Sequence, residues 1–278
     1  MRTHLRTSAT VAGVVATLLV AAACTSKSAV PGGASSGSSG SGSSAAASSA
    51  AGQTDGLAAE NINAEGTPVK GGTLHMLGVG DVDFMDPNIS YYSGGYLALR
   101  LWSRQLVTYP AIAGKATTDV PDLATQLPTM DNGGISKDGT TYKFTIRKGA
   151  MWNTTPARQV TAADMVRGVK RTCNPAQPFG GMPDFQTLIV GLDDYCTAYA
   201  KVDAKSASAM ADYQNSHEIA GVSVDPADPQ TVVFKLVHPA AYFIAMLSLP
   251  AFTPSPKEYD AYVPASAELA AHTISDGP

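Results

Sequence analysis

The chain has 278 residues, 44% of them apolar, 7% aromatic and 15% charged, with a formal net charge of −4. Nineteen basic residues dispersed among 23 acidic ones do not make the Lys/Arg-rich face that phosphate binding requires, which excludes nucleic acid as a partner. Every Phe, Trp and Tyr lies between Phe84 and Tyr262, so the large side chains that dominate core energetics are confined to that part.

Arg2, His4 and Arg6 precede an apolar run from Val11 to Ala23 that closes on Ala21-Ala22-Ala23-Cys24, the pattern of a secretory signal over residues 1–23. The run is about 13 residues, whereas a membrane span needs about 20. Residues 32–52 are only Gly, Ala and Ser, and such a composition buries too little surface to offset chain entropy. The expectation is a tether over residues 24–68, with a reach on the order of 35 Å. Gly33-Ala34-Ser35-Ser36-Gly37 spells the hydrolase string G-x-S-x-G, but that motif needs a strand-to-helix elbow and has none inside this tract.

The folded part opens at Lys70-Gly71-Gly72, with a first strand expected over Thr73–Val79 and a break at Asp86-Pro87. After the polar and aromatic stretch 88–95, Leu97, Leu101 and Trp102 fall at helical spacing within Tyr96–Val107. Asp138-Gly139 signals a turn, and Tyr142–Arg147 alternates with Tyr142, Phe144 and Ile146 on one face, a half-buried strand. Thr161 and Asp164 form a T-x-x-D capping box for a helix through Thr172, with Val166 and Val169 inward. Asp164 is therefore read as a helix-start carboxylate and not as a catalytic acid. An Ala-rich helix is expected over Asp203–Asn215. A hairpin follows, with strands Val222–Val224 and Thr231–Val237 and a turn over Asp225–Gln230. Pro239 opens a helix carrying Tyr242, Phe243, Met246 and Leu247, and a short helix starts at Ser255-Pro256. Strands and helices without regular alternation imply α/β or α+β layering.

Cysteine usage adds a constraint. If Cys24 is consumed by lipidation, Cys173 and Cys196 remain, and two thiols in an exported chain most simply form one disulfide. Two free thiols are the alternative, while metal binding lacks both a C-x-x-C pair and a nearby histidine. Enzyme signatures are missing as well: His217-Glu218 is followed by Ile-Ala-Gly and not by the second histidine of H-E-x-x-H, and no S-x-x-K occurs.

Several stretches, taken in order, carry a family resemblance: Gly71-Gly72-Thr73-Leu74, Asp86-Pro87, Val120-Pro121-Asp122-Leu123-Ala124, the run from Asp138 to Trp152, and Val160-Thr161-Ala162-Ala163-Asp164. Together they resemble the family 5 extracytoplasmic solute-binding proteins, the peptide and nickel receptors of ABC importers. Asn153-Thr154-Thr155-Pro156 departs from the family's Asp-Gly turn but keeps its proline. Ala23-Cys24 similarly resembles a bacterial lipobox, which implies Cys24 as a lipid anchor.

The resemblance implies an α/β, periplasmic-binding-protein-like type II bilobal fold with only its N-terminal half present. On that reading residues 69–112 are the first segment of domain I, 113–217 an inserted subdomain, and 218–278 a second, truncated segment of domain I, with strand edges left uncovered. It further implies a monomeric, lipid-anchored receptor that captures peptides and delivers them to ABC permease subunits, with no cofactor or metal and no catalysis. The contacting residues it points to are Ser90, Tyr91, Tyr92 and Ser93 after Asp86-Pro87, with Phe179 and Phe185 facing the cleft. Nickel or haem cargo is the alternative within the family, and an exported lipoprotein enzyme such as a peptidase is the alternative outside it.

Overall fold

Alternation and capping account for the centre of the fold. The computed structural model describes residues 70–73, 75, 80–110 and 115–277. The signal, Cys24, the tether and most of the strand expected over Thr73–Val79 lie outside the described residues. In chain order the elements begin with α1 (Ser93–Leu99), β1 (Val107–Thr108), β2 (Val120–Pro121), β3 (Thr141–Thr145), β4 (Met151–Trp152) and β5 (Arg158–Gln159). Helices α2 (Ala162–Arg171), α3 (Met182–Gln186), α4 (Leu192–Tyr199) and α5 (Ala207–Ser216) follow. Then come β6 (Val222–Asp225), β7 (Asp228–Lys235), α6 (Phe243–Met246), 3-10 turns at Pro250–Phe252 and Lys257–Ala261, and α7 (Ala267–Ala270).

The central sheet has the order β3-β7-β6, all antiparallel, with Tyr142 opposite Phe234 and Phe144 opposite Val232. β3 comes from the 113–217 segment and β7 from 218–278, so this sheet is shared by both. The expected alternation holds: Tyr142, Phe144, Ile146, Val232, Phe234 and Leu236 are buried. The Phe234 ring meets Phe144 at 6.1 Å and Phe243 at 5.4 Å between centroids, so the α6 ring closes the core against the sheet. The hairpin turn is tighter than expected, since β6 reaches Asp225 and β7 starts at Asp228. Two side chains explain this: Asp225 accepts the Ala227 N–H at 2.9 Å and Asp228 accepts the Gln230 N–H at 3.0 Å.

Helix α2 packs across β6 and β7. Its start is the expected capping box, with the Thr161 N–H donating to Asp164 Oδ2 at 2.9 Å. Asp164 also accepts both terminal nitrogens of Arg158 at 3.0 Å, and Arg158 reaches on to Glu258 at 2.9 Å. One guanidinium thus holds the start of α2 to the Lys257–Ala261 turn, which confirms Asp164 in a structural role. β4 and β5 form a small hairpin whose connection contains a cis Thr155–Pro156 bond. The Ala-rich helix starts later than expected, because Asp203 closes a turn of its own and Ser206 caps α5 by accepting from the Ala209 N–H at 3.2 Å.

α1 is shorter than the periodicity implies, and its register is different. Gly95 and Leu99 face inward, while Leu97 and Leu101 are 58% and 55% exposed. The cause is Gly95: a Cβ there would lie 2.3 Å from both Asp83 Oδ1 and Ser90 Oγ, so the chain segment before the helix occupies that face.

The segment after α7 returns to β1. Asp276 is buried and accepts the backbone N–H of Arg104 at 3.0 Å, next to the Arg104–Asp122 ion pair at 2.6 Å. Burial pushes the Asp276 carboxyl up to about 8 against the opposing Arg104 N–H, and the charge of Asp122 adds to the rise. A carboxyl raised from about 3.8 is protonated in the folded chain, so its contribution is complete below about pH 3.8 and is lost as pH rises through about 8. The thermal midpoint should therefore fall between pH 5 and pH 8.5 in the wild type, and fall less in Asp276→Asn, as followed by circular dichroism.

Candidate functional site

The stretch from Asp83 to Tyr92 forms a loop organised around one carboxylate. Asp83 accepts the Ser90 hydroxyl at 2.6 Å, the Tyr91 N–H at 2.6 Å and the Tyr92 N–H at 3.2 Å. Partial burial raises its pKa, but these bonds, with a further backbone bond from Phe84, outweigh it and hold the carboxyl below its ordinary value. Tyr92 is the N-cap of α1 and Ser93 its first residue, so the loop ends where the helix begins.

The loop is fixed from below by long-range contacts. Asp86 forms a buried ion pair with Arg171 at the end of α2, and the Arg171 guanidinium lies 5.3 Å from the Tyr259 ring. Asn88 donates to the carbonyls of Ala251 at 3.0 Å and Thr253 at 2.9 Å. Gly168 allows this approach, since a Cβ there would lie 2.1 Å from the Thr253 oxygen. A cavity of about 320 Å³ lies beside the loop, lined by Phe84, Met85, Tyr259, Leu269 and Ala270 among others.

This frame presents two rings. Tyr91 is 52% exposed and Tyr92 65% exposed. Tyr91 lies on Gly180-Gly181: a Cβ on Gly180 would come within 3.0 Å of the tyrosine ring, and one on Gly181 within 2.7 Å of Phe179. Phe179 meets Tyr91 edge-on at 5.5 Å. Of the residues expected to contact ligand, Tyr91, Tyr92 and Ser93 are exposed at the surface. The three others, Ser90, Phe179 and Phe185, are buried. Ser90 is buried with its hydroxyl committed to Asp83, so it shapes the loop. Phe179 is buried as the support beneath Tyr91, and Phe185 sits one ring deeper, 4.2 Å from Phe252. Asp83, Arg171 and the Gly180-Gly181 cradle escaped the sequence reading. A glycine pair after an aromatic was the available signal for the cradle, whereas nothing in the sequence joins Asp86 to Arg171.

Cys173 and Cys196 come together as a pair, Cα atoms 5.4 Å apart, linking the end of α2 to α4. Among the described residues no cluster of His, Cys, Asp and Glu is arranged to hold a metal ion, and no helix is long and apolar enough to cross a membrane.

Residues 119–278 match the family described as bacterial extracellular solute-binding proteins, family 5 (middle). The chain belongs to this family. Among curated proteins it is similar to the oligopeptide-binding protein AmiA of Streptococcus pneumoniae, at 27% identity over 169 residues, which are 59% of this chain and 23% of that protein. Among solved structures it is similar to clavulanic acid biosynthesis oligopeptide binding protein 2, at 25% identity and a TM-score of 0.55, covering 71% of this chain and 31% of the other. Listeria monocytogenes OppA bound to peptide shares the fold at 19% identity and a TM-score of 0.52, covering 69% and 32%. The chain thus spans less than a quarter of the curated relative's length and about a third of each of these two structures. The mixed helix-and-strand architecture is a portion of the bilobal binding-protein fold that the resemblance implied.

Proposed function

We propose that this chain serves as the peptide-capturing component of an ABC importer, holding an oligopeptide for delivery to a membrane permease and performing no chemistry on it. The observation that carries this reading is the pair of exposed rings, Tyr91 and Tyr92, held by the Asp83 loop on the Gly180-Gly181 cradle in a chain of family 5. Extended peptides bind by backbone hydrogen bonds with tolerant side-chain pockets, and the cavity beside the loop suits such a pocket. The relatives' names, oligopeptide-binding proteins, support the same cargo. Calorimetry with a pool of short peptides tests it: saturable binding that weakens in Tyr91→Ala is expected, whereas heat with nickel alone and none with peptides would overturn it.

The receptor is proposed to be exported by residues 1–23, anchored through a lipid on Cys24, tethered by residues 24–68 and monomeric. Its folded part is divided at 69–112, 113–217 and 218–278. Confinement near the permease raises effective concentration without new contacts. Cys24→Ser should release the protein into the medium, as seen by fractionation. Cys173 and Cys196 are proposed to be oxidised, closing a loop of 23 residues worth roughly 3 kcal/mol. Mass spectrometry should find neither alkylated before reduction.

A further inference from the structure

The platform that carries Tyr91 and Tyr92 is built from two stretches, 80–99 and 172–200, and neither contains a lysine, arginine or histidine. Both contain aspartates: Asp81, Asp83 and Asp86 in the first, Asp184, Asp193 and Asp194 in the second. The lack of cations is local, because residues 137–171 alone hold eight Lys and Arg. Asp86 is neutralised by Arg171 beneath the loop, and Arg100, the next cation along the chain, donates to the Tyr109 carbonyl at 3.0 Å. The field at the two rings is therefore negative.

Three of the carboxylates lie close to the rings in the fold. Asp83 accepts the N–H groups of both Tyr91 and Tyr92. Asp81 is exposed and sits against the start of α1, where a Cβ on Gly94 would lie 3.5 Å from its carbonyl oxygen. Asp184 is exposed in the first turn of α3, three residues beyond Gly181. Tyr91 itself is presented by one face. A Cβ on Gly180 would meet its Cδ1 and Cγ and one on Gly181 its Cε2, so atoms from both edges of the ring rest on the glycines and the other face is the open one. The face of a tyrosine ring is electronegative and attracts an ammonium or guanidinium group.

We infer that the platform takes a cationic side chain, and that the peptides this chain captures carry lysine or arginine where they cross Tyr91 and Tyr92. The inference rests on the peptide-receptor reading above and adds the class of residue that the site selects. Ring face and carboxylates act on the same charge. A lysine or arginine lays its aliphatic stem along the ring while its charged end meets the ring quadrupole and the field of Asp81, Asp83 and Asp184. An acidic side chain meets both with the opposite sign, and an apolar one gains only contact with the ring.

The probes are pentapeptides Ala-Ala-Xaa-Ala-Ala, with lysine, arginine, norleucine or glutamate at the centre, titrated calorimetrically into the 278-residue chain. They share termini and backbone, and norleucine keeps most of the lysine stem without its charge. The lysine and arginine peptides should bind about fivefold or more tighter than the norleucine peptide, with glutamate weakest. Raising the salt from about 0.05 M to about 0.5 M should narrow that gap by screening the carboxylates. Tyr92→Leu should narrow it too, as should the double variant Asp81→Asn/Asp184→Asn, whose side chains are exposed and whose melting transition should stay intact. Norleucine binding as tightly as lysine overturns the inference and leaves the receptor reading standing, as does a lysine preference that both variants keep in full. No saturable heat from any of the peptides overturns the receptor reading and this inference with it.

Discussion

Arg171→Met should destabilise the fold by about 3–5 kcal/mol, the cost of leaving a buried charge without its partner. Asp86 and Arg171 are both nearly inaccessible, 4% and 1% exposed at the side chain, so water cannot replace the lost guanidinium. The methionine keeps much of the side-chain volume but gives up the guanidinium and its place over the Tyr259 ring, so the loss is chiefly one of charge. Urea denaturation gives the value directly. Asp86→Asn retains an oxygen to accept the Asn88 N–H now held at 3.1 Å, and with both charges removed the double variant should recover much of the deficit. A double variant as unstable as the sum of the singles would show that the pair contributes no coupling. The same pair fixes the loop that carries Tyr91, so peptide affinity in Arg171→Met should fall even where the protein remains folded.

What the sequence disclosed divides by distance along the chain. The alternation of Tyr142, Phe144 and Ile146 and the Thr161–Asp164 capping box are local signals, and both elements formed where expected. The α1 register was not legible, because Leu97 and Leu101 carry the hydrophobic period while the side that packs is set by Asp83 and Ser90 pressing on Gly95. The same limit applies to the site. Tyr91 and Tyr92 were visible as a polar and aromatic loop. Asp83, which organises them, looks like any loop aspartate until its three donors converge. Asp86 and Arg171 are 85 residues apart, and no periodicity links such a pair. Phe179 and Phe185 were read as facing the cleft from their segment. Burial is decided instead by rings from elsewhere in the chain, Phe252 against Phe185 and Tyr91 against Phe179.

That burial separates two aromatic roles that a binding assay alone would merge. Phe185→Ala should cost about 3–5 kcal/mol of stability, since the ring is 1% exposed and the cavity left behind is lined by side chains that relax only in part. Its neighbours, Phe252 at 4.2 Å and Phe179 at 6.4 Å between centroids, lose their packing partner, and Phe179 is the support of Tyr91. Tyr91→Ala should behave in the opposite way. Half of that side chain already faces solvent, and its edge-on contact with Phe179 is worth about 0.5–1.5 kcal/mol, so the thermal midpoint should move little. Peptide affinity should fall sharply in Tyr91→Ala, with calorimetry and melting run on the same preparation. In Phe185→Ala, affinity should fall only as the folded fraction falls, and recover when the measurement is made at lower temperature where the variant is folded. Loss of affinity in a fully folded Phe185→Ala, with Tyr91→Ala binding normally, would reverse the assignment and place the ligand against the deeper ring.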